Sequence, residues 1–144
     1  ELYPVIYIAA TFGLRLSEIL GLEWSAVDLD AKTLTIRKTV SEVTKEVIAE
    51  RTKTASSHRI LPIPDCCIPF FKKLQRQQRL ARIAMGPDYN VNDWVCKQGD
   101  GKPFHSKFVS HKFPELLAKY GLDRITFHEL RHTFASLLIA NEQT

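Results

Sequence analysis

The sequence contains no apolar run near the ~18 residues needed to cross a bilayer, no leader of the signal-peptide kind and no low-complexity tract. These absences point away from a membrane-spanning, secreted or disordered chain. Cysteine is scarce as well: three residues, an odd number, with Cys66 and Cys67 adjacent. Neither a disulfide framework nor a CxxC metal pair follows, so free thiols in a reducing, cytoplasmic setting are expected. No internal repeat is present. The chain also lacks an initiator methionine, opening at Glu1-Leu2-Tyr3 and stopping at Gln143-Thr144 directly after an apolar helical stretch. Both ends are expected to be cuts within a longer protein. One local absence stands out: from Cys66 to Pro87 there is no carboxylate, while Lys72, Lys73, Arg76, Arg79 and Arg82 all fall there.

What is present suits one folded unit. With 144 residues, 44% hydrophobic and 25% charged, the chain is long enough to bury one core, so residues 1–144 are expected to form a single domain. The net charge of +4 suits a polyanionic partner without specifying one.

Residues 2–12 are nearly all apolar and predict a buried helix interrupted by Gly13. A short helix is expected to follow, capped by Ser17. Residues 27–30 read as a turn into a strand. The alternation in 33–40 predicts a strand, and 45–51 and 58–63 predict two more, with Lys53 near the second hairpin. From Cys66 to Met85, Cys67, Phe70, Phe71, Leu74, Ala81 and Met85 follow helical spacing, with Pro69 in the first turn, where proline is tolerated. Residues 88–103 read as a loop around Trp94-Val95-Cys96. Ser106 is expected to cap a helix burying Phe108, Phe113, Leu117 and Tyr120, with Pro114 as a defect inside it and Gly121 as its stop. Thr126 and Glu129 form a T-x-x-E capping box before a last helix with Leu130, Phe134, Leu137 and Leu138 as its core stripe. The fold expected is mainly α with a small three-stranded antiparallel β-sheet, an α+β arrangement.

Three segments carry chemistry. On the last helix, His128 and Arg131 are three residues apart and therefore neighbours. An imidazole and a guanidinium at a helix start make an anion site, because the guanidinium forks onto two phosphate oxygens. Arg15 lies between Leu14 and Leu16, beside Gly13, so it is expected to be partly buried and held by Glu18 one turn on. Lys53 sits among small polar residues on a turn, from which it can reach a cleft and deliver a proton. Each piece alone also fits a blander role: a surface pair, a structural Arg15–Glu18 ion pair, a solvated turn lysine.

Taken together, "GLRLSEILGLEWSAVDLD", "TKTASSHRILPIP" and "HELRHTFASLL" resemble, in this order, the catalytic domain of the tyrosine recombinases, the phage-integrase family. The resemblance covers nearly the whole chain. It implies a site-specific DNA recombinase that cuts and rejoins strands through a 3′-phosphotyrosyl intermediate, without cofactor or metal. By position, Arg15 and Arg131 resemble the two catalytic arginines, Lys53 the hairpin lysine and His128 the catalytic histidine. Glu18 resembles the acidic support of the first arginine, and His132 the structural residue after the second. The family's nucleophilic tyrosine lies further on than the residues 132–144 that follow Arg131. Tyr3, Tyr7, Tyr89 and Tyr120 all precede Arg131, and Tyr3, Tyr7 and Tyr120 are expected in the core. The chain is thus expected to be an incomplete catalytic domain, lacking the tyrosine segment and the separate N-terminal DNA-binding domains.

The implied partner is double-stranded DNA, with self-association on DNA in the full-length protein and a phage or bacterial, nucleoid-associated setting. Arg37, Lys38, Arg51 and Arg59 are expected to line a phosphate track, whereas the cations of 72–82 read first as a solvated face. Two rival readings remain. His128-Glu129-Leu130-Arg131-His132 matches the H-E-x-x-H zinc-hydrolase motif, although Arg131 would set a positive charge beside the metal and no third ligand follows. The other is a non-catalytic DNA-binding relative.

Overall fold

The computed structural model of the chain describes residues 2–43, 46–51 and 58–130. Lys53, Arg131 and His132 lie outside them, as do Phe134, Leu137 and Leu138.

The first helix, α1, runs Tyr3–Phe12 with Pro4 in its first turn and buries Val5, Ile8, Ala9 and Phe12. This i, i+3, i+4, i+7 stripe is the apolar face of a helix against a core. Gly13 ends it in the left-handed conformation (φ 66°), and its N–H donates to the Ala9 carbonyl at 2.9 Å, a geometry that favours glycine. The second helix, α2, is Leu16–Leu20. Its N-cap is Arg15, in extended conformation, rather than the expected Ser17. An arginine side chain has no oxygen with which to cap. The cap works from the other side instead, with the Glu18 carboxylate accepting the Arg15 backbone N–H at 3.0 Å.

Strands β1 (Val27–Asp28), β2 (Thr33–Ile36), β3 (Lys38–Val43), β4 (Glu46–Arg51) and β5 (Arg59–Pro62) follow. Among the described residues they form a three-stranded antiparallel sheet in the order β1-β2-β5 and a separate β3-β4 hairpin. The three-stranded sheet is as expected in kind but not in membership, since residues 33–40 do not stay one strand. Up to Ile36 the chain pairs with β5 (Leu34↔Leu61, Ile36↔Arg59), whereas from Lys38 it pairs with β4 (Lys38↔Arg51). Arg37 is the joint, and its guanidinium donates to the Ser25 hydroxyl at 3.0 Å. Alternation predicts extended backbone through such a joint but is blind to a change of partner. The turn before β2 is an Asx turn, with Asp28 Oδ1 accepting the N–H groups of Asp30 and Ala31.

Helix α3 spans Ile68–Met85, with its proline in the first turn as expected, and buries only Phe71 and Leu74. Trp24 donates to Gln78 at 2.9 Å and Gln78 donates to the Val95 carbonyl at 2.7 Å. This pair of bonds ties α3 to the loop and seats Val95 and Cys96 in the core. At Gly101 (φ 87°) a Cβ would run into the Asn90 carbonyl and the Tyr89 ring, so the loop closes only with glycine there.

Helix α4 spans Ser106–Lys119 with His105 as N-cap and Pro114 inside. It buries Val109 and Phe113, with Leu117 packed alongside. Phe108 and Tyr120, expected in the core, are 43% and 68% exposed. The i, i+4, i+8 stripe 109/113/117 takes the inner face, and 108 and 120 fall beside it. Tyr3 is likewise exposed, although Tyr7 stacks on Phe70 with ring centroids 3.8 Å apart. Residues 127–130 are helical, and Phe127 docks edge-on against Phe113 at 5.6 Å. Thr126 caps this helix as expected: the Glu129 N–H donates to Thr126 Oγ1 at 3.1 Å, and that hydroxyl donates to Glu129 Oε1 at 3.2 Å. No helix among the described residues is long and apolar enough to cross a membrane.

Candidate active site

Leu14, Arg15, Leu16, Ser110, Phe127 and His128 line one cavity of about 150 Å³. It brings together residues more than a hundred positions apart: the α1–α2 turn, the middle of α4 and the start of the last helix. Of these, Leu14 and Phe127 are buried, while Arg15, Ser110 and His128 are exposed. A site with apolar walls and two basic side chains on one mouth suits a small anion, because the walls lower the local dielectric and strengthen the attraction. Arg15 was expected to be partly buried, yet it is exposed. The apolar neighbours Leu14 and Leu16 anchor the backbone and leave the guanidinium outside.

The buried charge is Glu18, 4% exposed. Its carboxylate takes a two-pronged bond from Arg59, 2.7 Å from Nη1 to Oε2 and 3.0 Å from Nη2 to Oε1. Oε1 also accepts the Arg15 N–H. Burial pushes the carboxyl pKa up, but the Arg59 bonds, the Arg15 N–H and the charges of both arginines outweigh it, so the pKa lies below its ordinary value. Glu18 therefore holds Arg15 through its backbone, and it holds the guanidinium of Arg59.

Among the other basic residues expected at DNA, Arg37 is half-buried and bonded to Ser25, and Lys38 and Arg51 are register partners at the open end of the β3-β4 hairpin. Ser110 was missed in the sequence. It belongs to an amphipathic run that signals only a helix, and nothing local marks it as facing Arg15.

Of the four tyrosines, Tyr7 has its pKa pushed up to about 12 by a hydrogen bond with Cys67 and by burial. Burial also raises Tyr89. Cys66 is exposed, and Cys67 and Cys96 are buried; all three are free thiols.

The pattern of the phage integrase family matches residues 2–143. The chain belongs to this family. A tyrosine recombinase XerC-like protein of Caldanaerobacter subterraneus subsp. tengcongensis is 29% identical over 151 residues, which cover 96% of this chain and 38% of that protein. The integrase of Staphylococcus phage L54a is 26% identical over 92% of this chain and 38% of its own length. The integrase-family chain thus spans well under half of these relatives. In fold it is similar to the Tn1549 transposon integrase solved in complex with transposon right end DNA (TM-score 0.78, 22% identity, 99% of this chain and 47% of that one). It is also similar to the XerA recombinase (TM-score 0.67, 23% identity, 97% and 43%).

Proposed function

We propose that this chain supplies the phosphate-gripping part of the active site of a site-specific DNA recombinase of the tyrosine type. The observation that carries the reading is the shared cavity of Arg15 and His128, two residues that family resemblance assigns to one site and that lie far apart in sequence. In this reading Arg15 and Arg131 neutralise the non-bridging oxygens of a DNA phosphate, where negative charge accumulates in the transition state. A tyrosine oxygen attacks phosphorus and displaces the 5′-oxygen, forming a 3′-phosphotyrosyl bond. Lys53 gives the departing oxygen its proton, and His128 manages the proton near the nucleophile. The phosphodiester energy is kept in the new bond, so the reverse attack by a 5′-hydroxyl rejoins the strand without ATP.

In this reading none of the four tyrosines of residues 1–144 is the nucleophile, which comes from elsewhere in the longer protein. Tyr7 and Tyr89 have raised pKa values that work against forming the attacking oxyanion, and Tyr3 and Tyr120 are at helix ends. The partner is double-stranded DNA, with assembly of several copies on it, and the setting is the cytoplasm at the nucleoid. The H-E-x-x-H zinc reading is the weaker one, because the Glu129 carboxylate is engaged with Thr126 in the cap. Covalent trapping tests the reaction. The longer protein carrying this chain, mixed with nicked duplex bearing its target, forms a protein–DNA adduct that Arg15→Ala abolishes. An adduct formed equally well by that variant, or cleavage only with added zinc, sinks the reading.

A further inference from the structure

We propose that Arg59 is a positioning residue of the phosphate site, acting on Arg15 through the shared carboxylate of Glu18; this rests on the reading of the site given above. Oε1 of Glu18 is the common atom, accepting Arg59 Nη2 at 3.0 Å and the Arg15 N–H at 3.0 Å. The bond to Oε2, at 2.7 Å, completes the fork and fixes the plane of the carboxylate. Helix α2 has only five residues, too few to hold its own first turn. Its start is therefore held from outside, by a strand. Arg59 stands at the beginning of β5, paired with Ile36, whose side chain is buried. The direction of the Arg15 side chain follows from its extended N-cap backbone (φ −68°, ψ 150°), and Glu18 fixes that backbone.

Charge gives Arg59 a second task. A buried carboxylate three residues from Arg15 would draw the Arg15 guanidinium inward and repel an incoming phosphate. Arg59 neutralises it from the far side, which leaves the charge of Arg15 for an anion in the cavity. The influences on the Glu18 pKa fit this division, since after burial the largest is the bond to Arg59, ahead of the charge of Arg15. Lysine cannot reproduce the fork.

The test uses inorganic phosphate as probe and NMR of the 144-residue chain, following the Arg15 side-chain N–H, the His128 ring and amide hydrogen exchange. Arg59→Met keeps much of the side-chain stem and removes the charge. The expected result is a phosphate dissociation constant raised about tenfold, with exchange of the Arg15 amide accelerated while amides of α1 stay protected. Arg59→Lys falls between, and serves as the deciding variant if Arg59→Met does not fold. Three results overturn the proposal: phosphate affinity unchanged; affinity lowered with the Arg15 amide unmoved, which makes Arg59 a direct anion contact; or protection lost alike across α1, which makes it merely structural. Arg15→Ala is the control for the site itself. If it leaves phosphate binding intact, the proposed function fails, whatever Arg59 does.

Discussion

Glu18 shows how a single buried charge is tolerated: both oxygens are bonded, and the forked donor carries the opposite charge. Its depressed pKa links stability to pH. The folded state binds this proton more weakly than the unfolded chain, so the contribution is fully present above the unfolded carboxylate pKa. It is lost as pH falls through the lower, folded value. Chemical denaturation of Glu18→Gln across that acidic range is expected to show a shallower loss of stability than the parent chain; parallel curves would mean the carboxylate is not the titrating group. Because the Arg59 side chain is 37% exposed, water can take over part of its solvation after Glu18→Ala. The cost is then expected at about 1–3 kcal/mol, below that of opening a fully buried pair.

At the scale of elements, the site depends on how α4 and the turn at 127–130 dock. Phe127 is buried against Phe113, and His128 is the next residue. Phe127→Ala is expected to cost about 3–5 kcal/mol and to broaden the His128 ring signals; a stability change below ~1 kcal/mol would show that other contacts hold this turn. The helices were legible in the sequence because apolar spacing, a proline in the first turn of α3, and Gly13 or Thr126 at an end all agreed. Register and partnership were not. The β2–β3 joint at Arg37 looks like continuous alternation, and Phe108 differs from Val109 by one position that only packing against the core decides. Within the site, His128 and Arg15 were legible as types in a familiar order. Arg59 was read as a DNA contact, since a pairing across 41 residues leaves no local mark. The bond from Glu18 to the backbone of Arg15, rather than to its guanidinium, was equally invisible.

Viewed whole, the chain is a small core flanked by α3, whose cations Lys72, Lys73, Arg76, Arg79 and Arg82 are all exposed, and by the cavity of Arg15 and His128. It spans 38% of the XerC-like relative it matches. This chain alone is expected to bind duplex DNA weakly, with a steep loss in salt as counterions are released. The most direct measurement is therefore duplex affinity as a function of salt for the parent chain and Arg15→Ala. For Arg15→Ala, about tenfold weaker binding at low salt and a slope reduced by about one phosphate contact are expected, with melting unchanged. Equal affinity and equal slope would contradict the phosphate-gripping role of Arg15.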